Sequence, residues 1–260
     1  MINDTKLFFS HYDLVLAWAD RTIRGRYQQS TFGWLWALFQ PIATVAIFTI
    51  VFTRFVPIDT GDVPYVLFSY TAVVPWTFLA TSTTDMSASL VQNMNLVTKI
   101  YFPREILPIA VMLARFMDFG ISAAVLVVLF IFSDLQLSAV PLLYLPLILL
   151  IQLALILGVG LLSSALNVFY RDVDPILKLF IQLWFYASPI IYPVSMVPEA
   201  LQPYYFINPM AGIIVGYRDV LLYGNSPGLY LLPAAAISFT LLVTGFWFFK
   251  RVESQFADIV

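Results

Sequence analysis

The sequence has 260 residues, of which 61% are hydrophobic and only 11% are charged. A soluble domain usually carries about 25% charged residues, so most of this chain is predicted to lie in a bilayer, as one domain. A net charge of -2 argues against nucleic acid as a partner, and the absence of cysteine excludes disulfides and thiolate chemistry. The single histidine, His11, cannot build a multi-histidine metal site, so neither a metal site nor a catalytic residue is predicted.

Residues 1–33 come first and are predicted to form a cytoplasmic segment that contains an amphipathic helix between Leu7 and Gln29. Charged residues precede any long apolar run there, so the segment does not resemble a cleavable signal peptide. Its apolar face includes Trp18, and its basic face carries Arg21, Arg24 and Arg26. Two interpretations stay open: a helix that lies in the membrane interface, or one whose guanidinium groups also gather a diphosphate headgroup at a lateral entrance.

Six apolar stretches are long enough to cross a bilayer, which takes about 20 residues. They lie at 34–56, 64–84, 106–132, 140–167, 175–194 and 229–249. The predicted fold is an all-α membrane protein with six transmembrane helices over residues 34–250, followed by a cytoplasmic tail at 251–260.

The basic residues predict the orientation of these spans. One set of alternating segments holds ten of them: Lys6, Arg21, Arg24, Arg26, Lys99, Arg104, Arg171, Lys178, Lys250 and Arg251. The opposite loops hold only Arg54 and Arg218. Because cytoplasmic loops are enriched in Lys and Arg, both termini are predicted to be cytoplasmic.

The segment 195–228 does not fit a simple loop. Its apolar run from Met210 to Tyr217 is too short to cross the bilayer. Short re-entrant or interfacial helices on the outer side are predicted, since backbone that enters a membrane without crossing it must be buried in protein or line a cavity. A plain outer loop on the headgroups is the alternative.

Four side chains in the predicted spans are candidates for a translocation pathway. Arg115 and Asp118 are three residues apart on one helix face, so they form either a static ion pair or part of a pathway for a charged headgroup. Tyr186 and Tyr192 flank a proline-containing break, and they belong either to the interfacial aromatic belt or to a channel that contacts sugar rings.

Three segments, taken together, resemble one family of membrane proteins. They are "RGRYQQSTFGWLWALFQP" at 24–41, "LVTKIYFPREILP" at 96–108, and "LNVFYRDVDPILKLFIQLWFYASPIIYP" at 166–193 followed by "INPM" at 207–210. In order and spacing they are similar to the polysaccharide ABC exporter permeases, the membrane subunits of O-antigen, capsule and teichoic-acid exporters.

The resemblance implies a half-transporter of the bacterial cytoplasmic membrane that exports a lipid-linked polysaccharide. Two copies would form the pore, and two copies of a separate ATPase subunit would bind ATP and Mg. The sequence is consistent with that division, because no lysine follows a glycine and the phosphate-binding pattern G-x-x-x-x-G-K-[ST] is therefore missing. No cofactor is predicted in this chain.

The resemblance also implies where the ATPase docks. A short coupling helix is expected within 92–102, with contacts from Asn95, Leu96, Lys99, Ile100, Tyr101 and Arg104. A second contact is expected at Arg171 and Asp172, although Asp172 and Asp174 also precede Pro175 where they would cap the next helix.

Two other functions are alternatives to export. A membrane enzyme acting on polyprenyl-phosphate lipids requires clustered carboxylates, histidines or a metal at one membrane face. An ion-coupled secondary transporter requires isolated acids or broken helices in two corresponding halves. The sequence provides neither pattern, so an exporter subunit is the favoured prediction.

Overall fold

The computed structural model describes residues 12–28, 32–99, 102–133 and 138–257. Within these ranges the chain is helical and contains no strand. The described part of the chain contains eleven α-helices, in this order: α1 Tyr12–Tyr27, α2 Leu35–Ile50, α3 Tyr65–Gln92, α4 Met94–Lys99, α5 Ile106–Ile131, α6 Ala139–Leu142, α7 Leu145–Phe169, α8 Val173–Tyr186, α9 Gln202–Tyr205, α10 Pro209–Leu221 and α11 Leu231–Val252. The all-α prediction is confirmed.

Among the described residues, four segments are long and apolar enough to cross a membrane: Leu35–Phe55, where α2 continues into a π-helical turn, Ile106–Ile131, Ala139–Phe169 and Leu231–Phe256. They correspond to four of the six predicted spans. The other two predicted spans correspond to α3, which carries many polar residues, and to α8, which has only 14 residues.

Helix α3 is the centre of the fold. It packs against α2, α5, α7, α8 and α10, and most of its side chains are buried. Several of its buried hydroxyl groups donate within the helix: Ser69, Thr71 and Thr83 each donate a 2.8 Å hydrogen bond to the carbonyl oxygen four residues earlier. A polar helix can therefore occupy an apolar interior, because these donors are satisfied locally.

Helix boundaries differ from the predictions in two places. The helix predicted to end at 84 continues to Gln92, and the helix predicted to reach 194 ends at Tyr186. The second difference has a local cause, since Pro189 disfavours helical backbone at Ser188 and the chain turns there.

Helix α10 is a short, buried helix on the side of the molecule where α8 ends. Asn208 caps it by accepting a 3.0 Å hydrogen bond from the Met210 amide, and the helix packs against α3, α7 and α11. Its residue Arg218 was predicted to be a loop charge, but the side chain is buried and donates to the carbonyl oxygens of Pro189, Ile190 and Phe68 at 2.6, 2.9 and 3.3 Å. Arg218 therefore ties α10 to the turn after α8 and to the start of α3.

Helices α7 and α11 cross with their backbones in contact. A Cβ atom added at Gly245 would lie 2.4 Å from the carbonyl oxygen of Gly158, and one added at Gly158 would lie 2.5 Å from the carbonyl carbon of Leu241. Both neighbouring atoms belong to the backbone and cannot move aside as a flexible side chain could. The lack of side chains at Gly158 and Gly245 therefore sets the distance between the two helices.

We expect Gly245→Ala to destabilise the protein by about 1–3 kcal/mol, because the added methyl group forces two packed backbones apart. The measurement is the thermal unfolding temperature in detergent. Gly120→Ala in α5 is the matched control, because a Cβ atom there meets nothing within 4 Å. Equal unfolding temperatures for the two variants would contradict the prediction.

Candidate functional site

Four charged side chains from three helices meet where α1 lies against the bundle. Arg26 comes from α1, Asp85 from α3, and Arg115 and Asp118 from α5. We call these four residues the charge cluster. Arg26 lies 2.9 Å from Asp118 and 3.2 Å from Asp85, and Arg115 lies 3.1 Å from Asp118 and 2.6 Å from Asp85. Each guanidinium group therefore contacts both carboxylates, and the cluster carries no net charge.

Tyr27 attaches α1 to the same cluster. Its hydroxyl group donates to Asp118. Burial, together with the hydrogen bond to the Asp118 carboxylate, raises the pKa of Tyr27 to about 12, so the phenol stays protonated and remains a donor at neutral pH. Asp118 thus receives hydrogen bonds from a tyrosine and two arginines.

The predicted pair of Arg115 and Asp118 does form, but it is only half of the cluster. Sequence reasoning missed Asp85, because the second span was predicted to end at residue 84 and the aspartate was assigned to a loop. Asp85 lies on α3, well before the helix ends, with a side chain 33% exposed.

A cavity of about 570 Å³ opens beside the charge cluster, between α1, α2, α3 and α5. Three members of the cluster line it, together with Tyr27: Arg26, Arg115 and Asp118. Hydroxyl and amide groups also line it, from Gln40, Thr44, Thr77 and Thr81. Apolar side chains form the remainder, including Trp36, Phe39, Ile47, Phe78 and Phe119.

Two further spaces adjoin this cavity. A groove of about 380 Å³ along α2 is lined only by apolar side chains and shares Trp36 and Phe39 with the cavity. A second cavity of about 280 Å³, between α2, α3 and α8, shares the four hydroxyl and amide residues and also contacts Lys178 and Tyr186. Charged, polar and apolar surfaces therefore lie next to one another along α2.

The three predicted headgroup arginines have different surroundings. Arg26 faces the cavity within the charge cluster. Arg24 is exposed and forms a 2.8 Å ion pair with Asp20 on the same helix, while the guanidinium of Arg21 lies 4.5 Å from the ring centre of Trp18. Only one of the three arginines is brought to the cavity.

The two predicted channel tyrosines lie near each other at the end of α8. The Tyr192 hydroxyl group lies 3.0 Å from that of Tyr205 and donates a 3.3 Å hydrogen bond to the carbonyl of Tyr186. Tyr186 borders the second cavity, whereas Tyr192 lines neither cavity described above.

The predicted ATPase contacts lie on one side of the structure. Helix α4 is the short helix expected within 92–102; Asn95 and Lys99 are exposed on it and Leu96 is half-buried. Ile100 and Tyr101 lie outside the described residues. Arg104 does not project outward, because its guanidinium donates to the backbone carbonyl of Glu253 near the C-terminus.

The second predicted contact is the turn between α7 and α8, where Arg171 and Asp172 are exposed. The capping prediction for this turn is wrong. Asp172 occupies the N-cap position without a side-chain capping hydrogen bond, and Asp174 forms a 2.6 Å ion pair with Lys178 one turn later. Asp172 therefore makes no capping hydrogen bond, and the side chains of Arg171 and Asp172 are both exposed.

Among the described residues, no group of three or more His, Asp or Glu side chains is arranged to hold a metal ion. The charge cluster is suited instead to exchange of partners with an anion. Guanidinium groups match phosphate oxygens as well as carboxylates, so a phosphate in the cavity can replace Asp85 or Asp118 at Arg26 and Arg115.

Comparison with known proteins identifies the family. The family model described as ABC-2 type transporter matches residues 13–222. An O-antigen export system permease protein RfbA of Klebsiella pneumoniae is 28% identical, over 96% of this chain and 95% of the relative. RfbA of Myxococcus xanthus is 26% identical over 100% of both chains, and the polysialic acid transport protein KpsM of Escherichia coli is 23% identical over 90% and 91%. The chain therefore belongs to the ABC-2 type transporter family, and the resemblance carried by its three segments is confirmed.

Proposed function

We propose that the chain is the membrane subunit of an ATP-driven exporter of a lipid-linked polysaccharide. The relatives named for O-antigen and polysialic acid match it over at least nine-tenths of its length. The observation that carries the proposal is the cavity beside the charge cluster. Its lining combines charged, polar and apolar side chains, and it shares residues with an apolar groove and with a second polar cavity, which suits an occupant with an anionic headgroup, a sugar chain and a long apolar tail.

The proposed topology has six spans with both termini in the cytoplasm. Helix α3 has 28 residues and is about 42 Å long, which exceeds the roughly 30 Å hydrocarbon core. Helix α8 is about 21 Å long, and the turn held by Arg218 completes its crossing. Helix α10 is re-entrant from the outer side, in agreement with its burial against three other helices.

The proposed assembly contains two copies of this chain and two copies of a separate ATPase that binds ATP and Mg. The ATPase contacts α4 and the turn between α7 and α8, where Asn95, Lys99, Arg171 and Asp172 are exposed. A short helix held by a moving partner passes on displacement as a rigid body, so α4 is the coupling helix.

Headgroup binding proceeds by exchange within the charge cluster. The diphosphate enters beside α1 and accepts hydrogen bonds from Arg26 and Arg115, which release Asp85 and Asp118. The lipid tail lies in the apolar groove along α2, next to Trp36 and Phe39. The sugar chain then passes the threonine and glutamine side chains shared by the two cavities.

The function is tested by reconstituting the chain with an ATPase encoded beside it. We expect a lipid-linked glycan to stimulate ATP hydrolysis and to cross the vesicle bilayer. Replacing residues 94–99 with a Gly/Ser sequence is expected to abolish both effects, because it removes the rigid contact. Failure of every lipid-linked glycan to stimulate hydrolysis would contradict export, and full coupling after the replacement would contradict the role of α4.

The exchange step predicts substitutions with opposite effects on headgroup affinity. Arg26→Gln removes a phosphate ligand and is expected to raise the glycolipid concentration for half-maximal ATPase stimulation roughly tenfold, the loss of one charge-assisted hydrogen bond. Asp118→Asn removes the competing carboxylate charge and is expected to lower that concentration.

Arg24→Gln is the matched control, because Arg24 is exposed on the same helix and away from the cavity. It is expected to leave the half-maximal concentration unchanged. If Arg26→Gln and Asp118→Asn change that concentration in the same direction, the cluster is a structural ion-pair network and not a headgroup site.

A further inference from the structure

The residues after α11 form a short 3-10 helix, Glu253–Ala257, which we call the C-terminal turn. It packs on α4 as well as on α11. From the sequence alone, these residues are predicted to be a cytoplasmic tail. In the structure they pack against α4, the proposed coupling helix.

Phe256 anchors the C-terminal turn in the bundle. Its side chain is fully buried, and its ring lies 5.5 Å from that of Phe249 on α11 and 5.8 Å from that of Phe169 at the end of α7. The neighbouring Gln255 is exposed. Burial of one large aromatic ring therefore fixes the turn between two long helices.

Charged groups fix the other side of the turn. Lys250 on α11 contacts Glu105 at 2.6 Å and Glu253 at 2.9 Å, and Glu105 is only 2% exposed. Arg104 donates to the carbonyl of Glu253, and its guanidinium lies 5.9 Å from the ring centre of Phe256. Arg104 and Glu105 immediately precede α5, so the turn also holds the chain where it leaves the coupling segment.

The C-terminal turn thus lies between the two proposed ATPase contacts. It touches α4 directly, and through Phe169 it touches the end of α7, two residues before Arg171. Helices α7 and α11 are themselves in backbone contact at Gly158 and Gly245. A displacement of α4 is therefore transmitted through the turn to α7 and α11, which are packed rigidly against each other.

We infer that the C-terminal turn joins the two ATPase contacts into one mechanical unit, with Phe256 as its positioning residue. This inference rests on the proposed function. Through the turn, movement of the ATPase displaces α5, α7 and α11 together. Without it, α4 moves independently and ATP hydrolysis continues with less transport.

The first test measures the link itself and needs no ATPase. Because the chain contains no cysteine, spin labels can be attached to Thr98→Cys on α4 and Ser254→Cys on the turn, both exposed positions. In the full chain in lipid nanodiscs, with the labelled chain diluted by unlabelled chain so that only distances within one protomer are measured, we expect one narrow distance distribution. Phe256→Ala is expected to broaden it, whereas Gln255→Ala is expected to leave it narrow. A distribution that stays narrow in Phe256→Ala would overturn the inference, even if the chain is an exporter.

The second test measures coupling in the complex with the ATPase. Phe256→Ala is expected to retain ATPase binding and basal hydrolysis but to lower the glycan transported per ATP by about threefold to tenfold. Phe256→Leu is expected to restore most of the loss, and Gln255→Ala to cause none. An unchanged transport ratio in Phe256→Ala, or an equal loss of ATPase binding and transport, would overturn the inference. Absence of glycolipid transport in the unsubstituted complex would contradict the proposed function, while the spin-label result still decides whether the link exists.

Discussion

A charge removed from water costs several kcal/mol unless other groups neutralise it or accept its hydrogen bonds, and this cost shapes every part of the structure that the proposed function uses. In the charge cluster two arginines neutralise two aspartates. At α10, Arg218 is held by backbone carbonyls that the break after α8 leaves available. In the last turn of α11, Lys250 neutralises the buried Glu105. Each of these three arrangements connects segments that are distant in sequence, so the buried charges determine which helices pack together.

The connection made by Arg218 extends into the centre of the bundle. Next to Arg218, Tyr217 donates a 2.9 Å hydrogen bond to Gln152 on α7, and Gln152 donates a 2.9 Å hydrogen bond to the carbonyl of Pro75 within α3. Pro75 lacks an amide hydrogen, so it cannot donate the helical hydrogen bond to the carbonyl of Thr71, although α3 continues without a break. Helix α10 is therefore joined to the middle of α3 as well as to its start.

The sequence predicts contacts within one helix better than contacts between helices. Arg115 and Asp118 are three residues apart, so helical geometry alone brings them together. The partnership with Asp85 and Arg26 depends on where α3 ends and on how α1 docks, and neither follows from hydropathy. Arg218 illustrates the same limit, because a basic residue at the end of a short apolar run has the pattern of a loop charge until tertiary packing buries it.

The neutrality of the charge cluster has a consequence for transport. A pathway must bind its cargo well enough to admit it and weakly enough to release it. Two unpaired arginines would retain a diphosphate, because its departure would leave partly buried positive charges without partners. In the proposed exchange, Asp85 and Asp118 would take the place of the headgroup as it leaves, so the ion pairs that compete with its binding would also reduce the cost of its release. On that proposal the carboxylates set the affinity of the site as much as the arginines do.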